Sequence, residues 1–572
     1  MLKRYWNRGT KQKIILSIVG LIVLCALFIL RDDYQPFLLF LRKYLFVLLL
    51  IFGILFFGIR AFRRTASTGK KILKGLLTLA SVALIYVILF TVGMYDYMQT
   101  YNVFNSMNLQ EMAELPLSRN ERIQPYNNIK TMAYESISET QEVSPPQLVR
   151  VDDQNQWTMA VQPSQEYFIQ RTKDDIEELF SVSSTSPSPR FSNENRIEAT
   201  FSIGESLAFS RNTYNAVVQR FNPWQLFNYE PHEAYYMKND DGNWVQVVSL
   251  IKWKGFFFPY PSFGGVMVLE TGEHDFNDYL ERLLIGKGTF IPAEDVQKYP
   301  YLTRQNTLSE KVSRIQAKSM MFLGGFTDPL PWNKKTAVKI PDLKEDQNQQ
   351  PFVTDFEFAG STNNAYDGLY HWFGLEPIGV ERTGLSISVF IPADGSDQAF
   401  YYNHANRKEG LAGVSAMPAK VMESRKEYDW TVNKPVEFRP FIRDIAGKRR
   451  LFMLSTIAAK RENTDQFDGG STPDLALVDV SYKDVVWLDA KHPSRWNDEI
   501  LNQLGETWKI TERLSDSDLN SHKKNQENTE IVQDSTTVQK DSLTVQKDSL
   551  TIQKDSITVQ KDSVPVVKDS LK

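Results

Sequence analysis

The sequence predicts a multi-domain membrane protein: three N-terminal transmembrane α-helices, an α+β domain, a mainly antiparallel β domain (sandwich or barrel), and a disordered repeat tail. Three observations lead there. Charge-free apolar runs occupy 14–30, 44–59 and 75–95, short alternating apolar runs separated by turn residues fill the middle of the chain, and the C-terminal end repeats a seven-residue unit.

A helix rises about 1.5 Å per residue, so about 20 apolar residues cross the roughly 30 Å of hydrocarbon in a bilayer. The run 75–95 meets that length. The two shorter runs are flanked by Lys13, Arg31, Lys43 and Arg60, whose long side chains can snorkel to the interface. Residue 30 is followed by Arg31-Asp32, with no small-residue cleavage pattern before it, which favours a retained helix over a cleaved signal peptide. No Asp, Glu, His, Lys or Arg interrupts any of the three runs, so the set reads as an anchor of 14–95 and not as an ion pathway.

Loop charge sets the expected orientation. The tail 1–13 carries Lys3, Arg4, Arg8, Lys11 and Lys13, and the second connection carries Arg60, Arg63, Arg64, Lys70, Lys71 and Lys74. The first connection, 31–43, offsets Arg31, Arg42 and Lys43 with Asp32 and Asp33. The positive-inside bias places the tail 1–13 in the cytoplasm and the chain beyond residue 95 outside it. The expected address is the bacterial cytoplasmic (inner) membrane, multi-pass, with the bulk extracytoplasmic.

Next, Met98, Tyr101, Val103, Phe104, Met107, Leu109 and Met112 suggest a helical stalk over 96–115. The α+β domain is expected over 116–340. It holds a strand at 196–202, a hairpin at 235–251 turning through Asn239-Asp240-Asp241-Gly242-Asn243, a strand at 265–270, and helices at 276–285 and 308–321. The polar stretch 341–351 reads as a linker. The β-rich domain, 352–514, has strand-like runs at 385–391, 398–403, 436–442, 450–458, 475–480 and 485–488, with a possible terminal helix at 496–504. In the tail, 515–572, Thr544-Val545-Gln546-Lys547-Asp548-Ser549-Leu550 recurs. Its apolar residues fall five and then two apart, whereas a coiled-coil seam needs three and four, so the unit reads as disordered.

Composition excludes several functions. A net charge of −4 gives no basic footing for nucleic acid. The one cysteine, Cys25, rules out an intramolecular disulfide and a thiolate metal cluster. The six histidines never fall three or four apart, so neither metal nor other cofactor is expected. There is no phosphate-binding glycine loop. Gly413-Val414-Ser415-Ala416-Met417 lacks the final glycine of a nucleophile elbow, and the oxygen-rich turn 465–470 lacks calcium-loop spacing.

Two stretches remain as candidate sites. The first is a binding groove formed by Asp355, Glu357, Asp367, Tyr370, His371, Trp372, Glu376 and Arg382, where carboxylates sit beside aromatic platforms as glycan chemistry requires. The second is a docking loop of Trp253, Phe256, Phe257, Phe258 and Tyr260, suited to a membrane or a partner. The expected role is a non-enzymatic binding or scaffold protein of the bacterial cell envelope within a larger assembly. Its expected contacts are the lipid bilayer, envelope proteins and glycan or peptidoglycan. The alternatives are an extracytoplasmic enzyme acting on envelope glycan or peptide, which convergence of Glu357, His371 and Glu376 in one cleft would favour, and an accessory subunit of a transport or secretion complex.

Overall fold

Leucine- and phenylalanine-rich sequence without glycine pairs is well suited to long helices, and the N-terminal apolar runs form α1 (Leu2–Ile29), α2 (Arg31–Arg63) and α3 (Thr68–Tyr86), the last continued by a π turn at Val87–Thr91. In this computed structural model α2 and the stretch Thr68–Thr91 are each long and apolar enough to cross a membrane, while the apolar part of α1, Lys13–Ile29, is shorter. Two of the three expected spans therefore reach the required length. The described residues are 2–64, 67–186, 189, 191, 193–343, 349–358, 366–379, 384–407, 410–445, 447–459 and 474–488. The tail 515–572, the helix expected at 496–504, the turn 465–470, Arg382 and the middle of the expected linker lie outside them.

Helix α2 is much longer than its apolar run because 31–43, read from the sequence as a connection, continues it. One face of this segment is polar and turned inward, with Arg31 and Gln35 buried beside Leu39, while Phe37 and Phe40 face outward. The inward face is tied to the body by named bonds. Arg31 Nε donates to the Gln219 carbonyl (2.9 Å) and Gln35 Nε2 to that of Tyr229 (2.8 Å). Arg42 donates to Asn228 Oδ1 (2.8 Å) and to the carbonyls of Trp253 (3.0 Å) and Gly255 (2.6 Å). Lys43 pairs with Glu230 at 3.0 Å and lies 4.1 Å from the centre of the Trp253 ring.

The stalk expected over 96–115 is corrected. Helix α4 (Met94–Ser106) stops early, and β1 (Asn108–Glu111) follows. Met107 and Leu109 are two residues apart, the spacing that places side chains on one face of a strand and on opposite faces of a helix. Nor does α4 stand free: Tyr97 and Tyr101 pack edge-on against Phe322 and Phe326, and Asp96 pairs with Lys318 at 2.6 Å.

After β2 (Leu117–Arg119) and α5 (Tyr126–Tyr134), the strands β3 (Gln141–Val143), β4 (Gln147–Val151), β5 (Gln154–Pro163), β6 (Ile176–Ser183) and β7 (Arg196–Phe201) make one antiparallel sheet, with α6 (Phe168–Lys173) between β5 and β6. Helices α7 (Thr213–Arg220) and α8 (Pro223–Asn228) lead into a second antiparallel sheet of β8 (Tyr229–Lys238), β9 (Trp244–Lys254), β10 (Tyr260–Glu270) and β11 (Thr289–Pro292). Helix α9 (Phe276–Leu284) lies between β10 and β11. Beyond α10 (Glu310–Ser319) come β12 (Val338–Lys339), β13 (Phe352–Glu357), β14 (Gly368–Pro377), β15 (Ile387–Pro392) and β16 (Gln398–Asn403). These join the two early strands in a seven-stranded sheet ordered β1-β16-β15-β14-β13-β2, with β12 also on β14. Only the β1–β16 ladder is parallel among the described strands. Helix α11 (Met417–Ser424) precedes a last antiparallel sheet of β17 (Asn433–Ile445), β18 (Lys448–Ala459), β19 (Asp474–Asp479) and β20 (Val485–Leu488).

The seven-stranded sheet is the middle layer. Phe373, Leu375, Val389 and Ile391 on one side pack with Val247, Ile251 and Val266 of the β8–β11 sheet and with Val312 of α10. Trp372, Phe356, Phe390 and Phe400 on the other side pack with Phe438, Ile442, Met453 and Val478 of the β17–β20 sheet. Because strand side chains alternate faces, β14 is buried on both. The expected boundary at 341–351 does not divide the described structure: β2, from before it, pairs with β13, from after it, and one compact unit spans Met1–Gly505.

Glu230 is the knot between helix and body. It accepts from Lys43 (3.0 Å), Lys311 (2.8 Å) and Trp253 Nε1 (2.9 Å). Burial alone would raise its carboxyl, but the Lys311 hydrogen bond and the Lys43 charge outweigh it and hold the group at about 2. A depressed carboxyl contributes stability above its unfolded value and loses it as pH falls through the folded one. Glu230→Gln should therefore cost about 1–3 kcal/mol at neutral pH, and the gap from wild type should close as pH falls from 4.5 to about 2. Denaturant titrations of the detergent-solubilised chain would read this. A gap independent of pH would contradict it.

Candidate functional site

A cavity of about 410 Å³ opens beside the middle sheet, walled by Arg122, Tyr126, Trp157, Glu233, Glu310 and Glu437 together with Asn306, Arg314 and Phe352. Irregular backbone aims its carboxylates. Pro231 cannot donate to a ladder, and the β8–β9 register shifts between Pro231 and Ala234, a bulge that turns Glu233 out of the sheet's alternation. Glu437 occupies a second bulge, between Val436 and Arg439, with φ +53, a conformation non-glycine residues rarely hold.

Each carboxylate is held in place. Glu233 accepts from Tyr235 Oη (2.7 Å) and, with both oxygens at 3.3 Å, from the Glu310 amide at the start of α10, where helical N–H groups lack internal partners. Glu437 accepts the Tyr126 amide (2.7 Å) and pairs with Arg122 (2.9 Å) and Arg439 (3.2 Å). The Arg122 guanidinium lies 5.2 Å from the Trp157 ring centre, a cation–π geometry. Glu310 is exposed within the cavity, yet desolvation by the surrounding walls and then the neighbouring Glu233 push its carboxyl up to about 7, against Arg314, Arg122 and His232, which pull it down. Close by, burial drives Glu205 up to about 7 despite its hydrogen bond from Tyr214 (2.9 Å), with Glu142 and Glu233 adding to the rise. The cavity thus combines cationic and anionic groups, an aromatic wall, and a carboxyl that keeps its proton to near neutral pH and can donate or give it up.

The groove expected from the sequence is not where these groups meet. Asp355 is buried under Arg119 (3.1 Å), Asn120 (2.9 Å) and Asn155 (3.3 Å). Glu357 is exposed at the end of β13. Asp367 accepts the Phe358 amide (3.0 Å), and Tyr370 Oη donates to the Tyr366 carbonyl (2.6 Å). His371 is wholly buried against Asn306 (2.8 Å), and burial lowers it to about 4, so it is neutral. Trp372 is wholly buried, and Glu376 caps Ser415 through that residue's amide and hydroxyl, both at 2.9 Å. Glu357, His371 and Glu376 do not converge, since adjacent positions on a doubly buried sheet enter opposite cores. Among the described residues of the expected groove, Asp355 and Asp367 share Arg119 (3.1 and 3.8 Å), and Asp367 and Tyr370 line a depression of about 100 Å³ with Arg304 and Asp394.

The docking loop finds its partner within the chain. Trp253 is buried and bonded to Glu230, and Tyr260 opens β10 opposite Lys254. Phe257 and Phe258 pack edge-on against Phe46 of α2 (4.8 and 5.9 Å), Phe258 also meets Tyr95 (5.6 Å), and Phe256 and Phe257 keep half their surface exposed. Arg122, Glu233 and Glu310 escaped the sequence reading because they are far apart in the chain. The available signals were the acidic Glu230 and Glu233 around Pro231 in a strand run, and Ser309-Glu310 as a helix start. Comparison with known families, curated proteins and solved structures finds no match to this chain.

Glu205 and Glu310 bind protons more tightly folded than unfolded, so the stability they allow is fully present below 4.5 and is lost as pH rises to about 7. The double variant Glu205→Gln/Glu310→Gln should flatten that decline in pH-resolved denaturant titrations. Parallel wild-type and variant profiles would contradict the assignment.

Proposed function

We propose that this chain is a membrane-anchored extracytoplasmic binding protein of the bacterial cell envelope, working within a larger assembly, with its ligand seated between Arg122 and Glu310. One observation carries the anchoring: segment 31–43 and the body it grips lie at the same end of the α2–α3 pair. Tyr95, after α3, donates its hydroxyl to the Lys43 carbonyl, while the basic residues Arg60, Arg63, Arg64, Lys70 and Lys71 sit at the turn joining the other ends. That charge distribution favours a cytoplasmic turn and an exported body. The lipid-facing sides of α2 and α3 are apolar and exposed, from Leu48 to Ile59 and from Ile72 to Leu84.

The cavity volume suits a small ligand. Its mixed charge and its Trp157 and Tyr126 wall suit a polar, partly charged fragment, as the saccharide and peptide portions of peptidoglycan are. A second reading is favoured by the protonated Glu310 beside Glu233, an arrangement that serves general acid catalysis near neutral pH. Titration calorimetry of the full chain in nanodiscs with a soluble disaccharide-peptide fragment of peptidoglycan separates the two. Binding that Arg314→Ala weakens about tenfold or more, the scale of one charged hydrogen bond, with the fragment recovered intact, supports the binding role. Cleavage abolished by Glu310→Gln would replace it with the enzyme, and absence of both binding and cleavage would remove this ligand class.

A further inference from the structure

We propose that the outward face of α9 is a membrane-resting surface, so that the body lies against the bilayer beside its own anchor. A helix on a water-facing surface turns its apolar stripe to the core; α9 does the reverse. Its inward residues are ionic: Asp278 and Arg282 are both buried and paired at 2.9 Å, with His274 and Lys287 also on Asp278 and Ser202 donating to it at 3.2 Å. Its outward residues are Phe276, Tyr279, Leu280 and Leu284, continued by Ile285, with Phe276 73% exposed.

The occupant follows from what adjoins this face. Gly286, at φ +77, lies flat on the backbone of Gln219 and Arg220, where any Cβ would collide. The Gln219 carbonyl in turn receives Arg31 at the head of α2. These contacts link α9 to the head of α2, where Phe28, Ile29 and Leu30 at the end of α1 and Phe37 and Phe40 on α2 are likewise apolar and exposed. Trp224 of α8, 70% exposed on a helix that also packs on α2, belongs to the same surface. The segment 31–43 has the same inverted arrangement, polar side to the protein and phenylalanines outward. Apolar side chains continuous with bilayer-crossing helices, with an indole and the exposed Arg220 at the rim, match an interfacial lipid contact.

This inference rests on α2 lying in the membrane, and the test separates the two. In a Cys25→Ser background, the full chain carries one cysteine at a time, Leu280→Cys, Leu284→Cys, Phe52→Cys on the lipid-facing side of α2, or Asp153→Cys, whose native side chain is 99% exposed. Each is labelled with bimane and reconstituted into phosphatidylcholine–phosphatidylglycerol vesicles containing doxyl-labelled lipid. Quenching at positions 280 and 284 several-fold above that at 153, strongest with the label near the headgroup, is the expected result. Quenching at 52 but not at 280 or 284 would overturn the resting surface and leave the anchor standing, and no quenching at 52 would overturn the anchor itself. Disulfide cross-linking of two Leu280→Cys chains in vesicles would overturn the lipid occupant in favour of a second copy.

Discussion

The seam between α2 and the body governs the rest of this structure. Arg31, Gln35, Arg42 and Lys43 leave water to meet fixed carbonyls, Asn228 and Glu230, while Leu39 joins the apolar core that also holds Val247, Phe373 and Val389. Cations in such a setting are costly to unpair, because each lost partner strands a desolvated charge. Helix α2 and the body are consequently tied together by several independent bonds. The hairpin tip at Phe257–Phe258 closes on Phe46, and α4 closes on Phe322, so the chain leaves the apolar helices already packed. The cavity and the outward face of α9 are both held at set positions relative to α2 by this attachment.

Behind the seam, a sheet covered on both faces distributes the polar chemistry. Polar groups in β13 and β14 lie between two apolar cores, and burying them is tolerable only when they are bonded. Asp355, His371 through Nε2, and Glu376 are bonded to Asn120, Asn306 and Ser415 in this way. Carboxyls that line the cavity arise instead where the ladders break, at the bulges that hold Glu233 and Glu437.

Much of the local structure was legible. The turn at Asn239–Asn243 joins β8 to β9, Phe276–Leu284 and Glu310–Ser319 are helices, and the runs at 387–392 and 398–403 are strands, because in each case turn chemistry or periodicity acts over a few residues. Segment 31–43 was misread as a connection because its charges look solvated until Glu230 and the Trp253 carbonyl are placed beside them. The stalk ends earlier than expected because Met107 and Leu109, two apart, follow a strand period that the three- and four-residue spacings before them obscure. The expected groove does not form as one cleft because alternating acids and aromatics in 355–376 describe a strand between two cores as well as they describe a groove, and only the tertiary layers distinguish these. Arg122, Glu233 and Glu310 meet through bulges and a helix start, which no short spacing records.

The central claim is that the body and segment 31–43 share the extracytoplasmic end of the α2–α3 pair. Intact spheroplasts expressing the full chain in a Cys25→Ser background, with either Asp153→Cys in the body or Lys70→Cys in the basic turn, can be treated with a membrane-impermeant maleimide. The account predicts labelling at 153 in intact cells and at 70 only after permeabilisation. Labelling at 70 with protection of 153 would contradict it.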